Sequence, residues 1–268
     1  MAYALSDVDI HQFHTQGYIV LKRILPPSLI ADLRRQAEVA RGIARRRDPN
    51  AQRLQPILQY PEVDARPFED YANLPALVEA VRTLVGADAS IGGPQRMGIL
   101  LEPAERPWAT AWHRDFGACQ KRVDMDVFRQ MRVNPRYFHQ VNCALYEDSC
   151  TWYVPGSHLR DDFPDEATIE RSSPWQIGMD QEDLSVEELE FFCLDYVESM
   201  PRAMRLHLDA GDFCLYRPHG YHLGCYVPYK RRATLHDSVW TPPWKATFER
   251  WAAGEFLTPT PEEPVALP

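Results

Sequence analysis

The stretch from Trp112 to Gly117 reads WHRDFG and places a histidine and an aspartate one residue apart between two aromatic side chains. In a β-strand, residues i and i+2 point to the same side, so His113 and Asp115 would face one cavity. An imidazole nitrogen and a carboxylate oxygen at that spacing can occupy neighbouring positions around one metal ion. The same pair could equally be a buried ion pair or carry no function, because His-x-Asp is a common sequence.

A catalytic metal needs a further ligand, and the other histidines are the candidates. Two histidines and one carboxylate on one face form the ligand set of non-haem iron oxygenases, which leaves positions open for cosubstrate and oxygen. His219 and His222 lie in GDFCLYRPHGYHLG, just after a predicted strand and beside glycine. Histidines at such a position can reach into the mouth of a barrel. The residues alone leave the choice between these two histidines open.

Two adjacent arginines begin the stretch RRATLHDSVW. A buried arginine is costly unless a carboxylate meets it, and a dicarboxylate cosubstrate would supply that partner in bidentate geometry. In a strand, Arg232 shares a face with Thr234 and His236, a polar set that suits a cavity, whereas Arg231 shares one with apolar neighbours. The alternation of side chains along a strand therefore leaves either arginine as a candidate for binding the cosubstrate, and the other would face outward.

The periodicity of the chain indicates helices first and strands later. Ser6-x-x-Asp9 predicts a capped helix to about Gln16, and the sequence after Pro26 predicts a second, long helix. A further helix is predicted over about 74–85 with Asn73 as its cap, joined to the long one by an irregular connection over 49–72. The predicted strands, in order, are GYIVLKRIL, RMGILLEP, HQVNCALYED, AMRLHLDAGDFCLY and RRATLHDSVW.

This order of elements predicts an α+β fold with a mainly β core, a sandwich or barrel braced by N-terminal helices. We expect a single domain over 1–268, with a helical region over about 1–88. The segment of about 160–205 is acidic and helical in part, from Ser185 to about Glu198, and we expect it to form a lid over the cavity. On the strand HQVNCALYED, Gln140 and Asn142 share one face.

Bulk composition excludes several classes of protein. The net charge of the chain is −9, and 160–200 alone has 13 Asp/Glu against 2 Lys/Arg, so the acidity lies in this segment and the remainder is slightly basic. Neither nucleic acid nor an anionic membrane is indicated as a partner, and an acidic lid would favour a neutral or cationic small-molecule substrate. Six cysteines without CxxC spacing, and a first stretch unlike a signal peptide, lead us to expect a cytoplasmic protein. The oligomeric state is left open.

Four ordered motifs resemble the phytanoyl-CoA dioxygenase family of Fe(II)/2-oxoglutarate-dependent oxygenases. They are LSDVDIHQFHTQGYIVLKRILPPSLIADLR, RPWATAWHRDF, LYEDSCTWYVPGSH and AGDFCLYRPHGYHLG. The resemblance implies a double-stranded β-helix, a jelly roll of cupin type, with Fe(II), 2-oxoglutarate and O2 as its requirements. It also implies His113, Asp115 and His222 as iron ligands, because the family's distal histidine follows the Gly-Asp glycine, here Gly211, by eleven residues.

The resemblance further implies Arg231 as the 2-oxoglutarate arginine, two residues before Ala233, with Arg232 in reserve. By the same analogy Gln140 and Asn142 would look toward 2-oxoglutarate. The implied activity is hydroxylation of an unactivated C–H bond of a small metabolite, since related halogenases replace the carboxylate that Asp115 retains. The alternatives are a non-catalytic cupin-like binding protein and a zinc hydrolase, which also uses two histidines and an aspartate.

Overall fold

The computed structural model describes residues 3–93, 96–117 and 122–258. Its helices are Asp7–Gln16 (α1), Pro27–Arg47 (α2), Arg66–Ala72 (α3), Pro75–Val85 (α4), Met125–Val133 (α5), Pro164–Ser172 (α6), Val186–Glu198 (α7) and Pro242–Ala252 (α8). Its strands are Tyr18–Leu21 (β1), Arg53–Leu54 (β2), Ser90–Ile91 (β3), Gly98–Leu101 (β4), Trp108–Thr110 (β5), His139–Ala144 (β6), Thr151–Tyr153 (β7), Gln176–Ile177 (β8), Met204–Arg205 (β9), Phe213–Tyr216 (β10), His222–Tyr226 (β11) and Ala233–Trp240 (β12).

The strands form two antiparallel sheets. The larger has the order β1-β10-β6-β12-β4-β2, with β3 paired to β12, and the smaller has the order β8-β5-β11-β7-β9. This is the predicted α+β fold with a mainly β core, a jelly roll braced by N-terminal helices, and the prediction of fold class is confirmed. Whether 1–268 is one domain stays a prediction.

The larger sheet separates an apolar layer from a polar one. In register across β10, β6 and β12, Leu215, Val141 and Asp237 share one face, which packs under the N-terminal helices. The opposite face carries Gln140, Asn142 and their partners and looks toward the smaller sheet. The side-chain alternation of a strand thus assigns the apolar set to the helical layer and the polar set to the space between the sheets.

The N-terminal helices confirm several predictions and contradict two. Ser6 and Asp9 form the predicted capping box, and Gly17 ends α1 at φ 83°. A Cβ on Gly17 would collide with Tyr153 and His158, so this turn needs glycine. The prediction of an irregular connection over 49–72 was wrong, because this stretch contains β2, a short 3₁₀ helix and α3. Asn73 was expected to cap α4 but ends α3 instead.

The acidic segment is helical in part, as predicted. It contains α6, β8 and α7, and Ser185 caps α7 by accepting a hydrogen bond from the backbone N–H of Glu188. The apolar side of α7, with Leu189, Cys193 and Val197, packs against the outer side of β5 and β11. The segment therefore packs on β5, the strand that leads into WHRDFG, and on β11, which begins at His222.

Two general features bear on the cellular setting. No helix within the described residues is both long enough and apolar enough to cross a membrane. Five cysteines (Cys143, Cys150, Cys193, Cys214 and Cys225) are free thiols, and the sixth, Cys119, lies outside the described residues.

Asp237 is a charge-bearing group buried on the apolar face of β12. Its Oδ1 accepts a hydrogen bond from the backbone N–H of Ser238, whereas its Oδ2 has no partner among the described residues. Burial raises the pKa of Asp237 to about 7. The folded state therefore keeps a proton that the unfolded chain releases near pH 4, so the free energy of unfolding falls as pH rises from about 4 to 7.

We predict that Asp237→Asn removes this part of the pH dependence and raises the free energy of unfolding at pH 8 by about 2 kcal/mol. Urea denaturation at pH 5 and pH 8 measures both effects, with the exposed Asp70→Asn as the control. Equal destabilisation of the Asp237 variant at both pH values would contradict the prediction.

Candidate metal centre

His113 and His222 face each other across paired backbones. His113 lies three residues beyond the end of β5 and His222 begins β11. Each donates its backbone N–H to the carbonyl of the other, at 3.2 and 3.1 Å, and their ring centroids are 4.3 Å apart. Residues paired in this way project their side chains on the same side of the sheet, so the pairing itself brings the two imidazoles together.

Asp115 reaches the same point from a turn rather than from a strand. Its backbone N–H donates to the carbonyl of Pro218 at 2.8 Å, and the following Phe116 adopts a φ of 60°. The strand geometry assumed for the His-x-Asp pair was therefore wrong for Asp115. The chain leaves the smaller sheet after His113 to bond with the loop before β11. Asp115 Oδ1 is 3.7 Å from His113 Nε2.

One potential ligand atom from each of His113, Asp115 and His222 lies within 4.8 Å of the others. No other group of three histidine, cysteine or acidic side chains converges in this way in residues 3–93, 96–117 and 122–258. The structure therefore brings together the three residues that the sequence singled out.

Backbone carbonyls orient both imidazoles. His113 Nδ1 lies 2.7 Å from the carbonyl of Ala111, and His222 Nδ1 lies 3.0 Å from that of Gly220. Donation from Nδ1–H fixes the tautomer in which Nε2 carries the free lone pair, which is the form that binds metals. Burial, reinforced by His113, holds the pKa of His222 well below its usual value, so His222 stays neutral.

Asp115 is held by a chain of side chains from the larger sheet. Tyr216 donates its hydroxyl proton to Gln140 Oε1, and Gln140 Nε2 donates to Asp115 Oδ2, each at 2.5 Å. Burial raises the pKa of Asp115, although His113 and Arg53 oppose this. Gln140 was expected to look toward 2-oxoglutarate; it lines the same cavity, but its amide is engaged in orienting the carboxylate.

The three residues open into a cavity of about 340 Å³ between the two sheets. Its other lining residues are Arg53, Leu100, Thr110, Gln140, Asn142, Thr151, Trp175, Tyr216, Leu223, Gly224, Tyr226, Arg232 and His236. Asn142, which was expected to look toward 2-oxoglutarate, lines the cavity with its amide bonded to Thr151 and to the ring of His236. Burial lowers the pKa of His236 to about 3, so this ring is neutral.

Of the two adjacent arginines, the structure places Arg232 in the cavity. Only 4% of Arg232 is exposed, and its Nε donates to Asp148 Oδ2 at 2.8 Å. Burial opposes ionisation of Asp148, but Arg232 and Thr234 hold its pKa at about 2. The Nη atoms of Arg232 have no hydrogen-bond partner among the described residues.

Arg231, the arginine that the family spacing favoured, does not reach the cavity. It pairs with Glu38 of α2, and half of its side chain is exposed. The reason is strand parity: Arg231 shares the face of Ala233, which turns toward the helices, whereas Arg232 shares the face of Thr234. Arg231, which the family spacing favoured, thus points away from the cavity. Arg232, which strand alternation placed on the polar face of Thr234 and His236, lines the cavity.

His219, the competing histidine, lies outside the cavity lining. It is fully buried among Phe116, Phe128 and Phe138, with ring centroids 5.8–6.4 Å apart. Neither ring nitrogen has a partner among the described residues, and burial keeps its pKa well below the usual value. His219 is a neutral member of an aromatic core.

Several lining residues carried no recognised signal in the sequence. Arg53, Trp175 and Tyr226 were not identified as candidates. Tyr216 could have been found from register, because it stands opposite Gln140 in the pairing of β10 with β6.

Comparisons with known proteins agree with this geometry. The family model described as Phytanoyl-CoA dioxygenase (PhyH) matches residues 13–224. No curated protein matches the chain. Among solved structures, AviO1 from Streptomyces viridochromogenes Tue57 is similar with a TM-score of 0.59 and 17% identity, over 90% of this chain and 97% of that one.

Two further solved structures share the fold. The epimerase SnoN, in a complex with Fe3+, alpha ketoglutarate and nogalamycin RO, has a TM-score of 0.54 and 15% identity, over 87% of this chain and 82% of that one. HygX from Streptomyces hygroscopicus, with nickel and 2-oxoglutarate bound, has a TM-score of 0.55 and 15% identity, over 89% and 88%. At these identities the likeness establishes the fold alone.

We predict that His222→Ala lowers the affinity for Fe(II) or Ni(II) by at least about 100-fold, since it removes a direct ligand. His219→Leu, which keeps the aromatic cluster apolar, should bind either metal within about two-fold of the wild type. Anaerobic isothermal titration calorimetry measures both, with thermal unfolding as a check on folding. Loss of metal in the His219 variant and retention in the His222 variant would reverse the assignment.

Proposed function

The chain belongs to the phytanoyl-CoA dioxygenase family of Fe(II)- and 2-oxoglutarate-dependent oxygenases, and from that membership we propose that His113, Asp115 and His222 are its iron ligands. As a member of that family it is an enzyme that requires Fe(II), 2-oxoglutarate and O2. The observation that carries the assignment of ligands is the convergence of one ring nitrogen from each histidine and one carboxylate oxygen within 4.8 Å.

The donor set fits Fe(II) by its chemistry. Two neutral imidazoles and one carboxylate on one face match the facial triad of non-haem iron enzymes and leave positions free on the cavity side. Both imidazoles are anchored through Nδ1, and Gln140 anchors the carboxylate, so the ligands are oriented before the metal arrives. When bound, Fe(II) and 2-oxoglutarate would activate O2 and couple formation of succinate and CO2 to oxidation of a substrate C–H bond.

We propose that Arg232 binds the distal carboxylate of 2-oxoglutarate. Asp148 holds the guanidinium through Nε, and the Nη atoms remain for a planar, bidentate contact with a carboxylate. The ring of Tyr226, 5.1 Å from the guanidinium carbon, supports the group from the side. When bound, 2-oxoglutarate would be held by Arg232 at its distal carboxylate, in the cavity that the metal ligands also line.

For the outcome of the reaction we propose hydroxylation of a small-molecule metabolite. The retained carboxylate of Asp115 occupies the position that halogenases leave open, which favours oxygen transfer over halogenation. The cavity volume of about 340 Å³, shared with 2-oxoglutarate, suits a small substrate or the end of a larger one. The five free thiols support a reducing compartment such as the cytoplasm.

The decisive experiment is an anaerobic titration of Fe(II) into the protein with and without 2-oxoglutarate. We expect a weak visible charge-transfer band only when both are present, and succinate after admission of O2. A zinc hydrolase would give neither, and a non-catalytic binding protein would give no succinate. In the same assay Arg232→Gln should raise the Kd of 2-oxoglutarate about 30-fold, since one charge-assisted contact contributes about 2 kcal/mol.

The matched control is Arg231→Gln, which removes the same charge one residue away and should change the Kd by less than about two-fold. Because Arg232→Gln leaves Asp148 buried without its partner, Arg232→Lys provides a second variant that keeps the charge but loses the planar fork. A Kd unchanged in both Arg232 variants but raised in Arg231→Gln would refute the assignment of the cosubstrate arginine.

A further inference from the structure

Two side chains that line the cavity belong neither to the metal ligands nor to the pair of Arg232 with Asp148. Arg53 lies on β2, at the edge of the larger sheet, and Trp175 directly precedes β8, at the edge of the smaller sheet. Both line the cavity that contains the metal ligands. The open side of the jelly roll is thus bordered by a cation from one sheet and an aromatic ring from the other.

The direction of Arg53 follows from strand register. Arg53 stands opposite Leu100 of β4, which stands opposite Thr234 of β12, so the three share the face that looks into the cavity. Arg53 is exposed and has no hydrogen-bond or ion-pair partner among the described residues. Arg232, the other arginine in the lining, already has Asp148. Arg53 is therefore the cation in the lining that forms no ion pair with a described residue, although Asp115 lies near enough for Arg53 to oppose the rise in the pKa of that carboxyl.

Trp175 is held against the metal centre while much of its ring stays open. Its ring centroid lies 4.7 Å from that of His113, yet 57% of the residue is exposed. The backbone is fixed, because the carbonyl of Trp175 accepts from the N–H of Ala111 at 2.9 Å and Gln176 pairs with Thr110. An exposed tryptophan in a fixed position is a ready stacking surface for a planar group.

The acidic segment does not set the charge of the mouth. Among the described residues of this segment, Trp175 is the one that lines the cavity. The one carboxylate among the described lining residues is that of Asp115, which lies outside the segment. The expectation of a neutral or cationic substrate, which rested on an acidic lid, therefore finds no support in the geometry. A guanidinium without an ion-pair or hydrogen-bond partner favours a carboxylate or similar anionic oxygen group instead.

We propose that Arg53 and Trp175 are the substrate-recognition pair of this cavity and bind a planar substrate that carries an anionic oxygen group. The anionic group meets Arg53, the planar part stacks on Trp175, and the stacked part lies next to His113. This inference deepens the proposed function and rests on it, since the site of oxidation is taken to be the metal bound by His113, Asp115 and His222.

The test uses 4-nitrobenzoate and its neutral counterpart 4-nitrobenzyl alcohol as probes, in calorimetric titrations of anaerobic protein loaded with Fe(II) and 2-oxoglutarate. We expect the wild type to bind the carboxylate about ten-fold more tightly than the alcohol. Arg53→Gln should abolish that preference. Trp175→Ala should weaken both probes about five-fold, through loss of stacking.

Matched controls are Arg171→Gln and Phe191→Ala, which remove an exposed arginine and an exposed aromatic ring from the same chain outside the cavity lining. Both should behave as the wild type. The inference is overturned if the wild type fails to bind 4-nitrobenzoate or binds both probes equally, or if Arg53→Gln keeps the preference. It is also overturned if Arg53→Gln weakens 2-oxoglutarate instead of the probe.

Failure of the proposed function gives a different result. In that case the wild type shows no 2-oxoglutarate band, whereas the probes can still be titrated into metal-free protein, where Arg53 and Trp175 lie at the same mouth. The preference for the carboxylate and its loss in Arg53→Gln are then measured independently of the iron chemistry.

Discussion

The two-way backbone hydrogen bonding between His113 and His222 determines where the chemistry of this protein can occur. It joins the end of β5 to the start of β11, and so fixes two imidazoles from distant parts of the sequence at a ring separation of 4.3 Å. Neither histidine has to be positioned by its side-chain rotamer alone, because the strand pairing sets both Cα positions. Asp115 then needs only a short turn, bonded to Pro218, to bring a carboxylate to the same point.

The buried charges around this pair impose a second constraint. An unpaired charge inside a protein is strongly destabilising, and removal of one partner of a buried pair exposes that cost. Here Asp148 accepts hydrogen bonds from Arg232, Thr234 and the backbone of Cys150. Asp115 accepts from Gln140, which accepts in turn from Tyr216. These hydrogen bonds orient the carboxylates of Asp115 and Asp148, while Arg53 forms no hydrogen bond or ion pair with a described residue.

Much of this arrangement could be predicted from the sequence, and the failures have identifiable causes. The capping boxes at Ser6 and Ser185 are local, so they located two helix starts correctly. α5 and α8 were not predicted, although the side chains of Asp124 and Thr241 cap them. α3, with Pro67 in its first turn, lies within a proline-rich stretch that was predicted to be irregular. Helix starts were thus predicted correctly where a capping box was followed by apolar residues at helical spacing.

The cavity lining depends instead on non-local pairing. Arg231 and Arg232 directly precede β12 and point to opposite sides of it. The family spacing favoured Arg231, which pairs with Glu38, whereas the polar face shared by Arg232, Thr234 and His236 indicated the arginine that lines the cavity. Arg53 and Trp175 belong to segments whose approach to the metal ligands exists only after β2 pairs with β4 and β8 with β5. No pattern within either segment indicates that approach.

The central claim is that one iron binds between His113, Asp115 and His222, with 2-oxoglutarate extending toward Arg232. X-ray diffraction at the iron absorption edge, from crystals grown anaerobically with Fe(II) and 2-oxoglutarate, measures this directly. We expect one anomalous peak bonded to the two Nε2 atoms and to Asp115, with the distal carboxylate of 2-oxoglutarate on the Nη atoms of Arg232. A peak at another group of side chains, or a distal carboxylate bound by Arg53 instead, would contradict it.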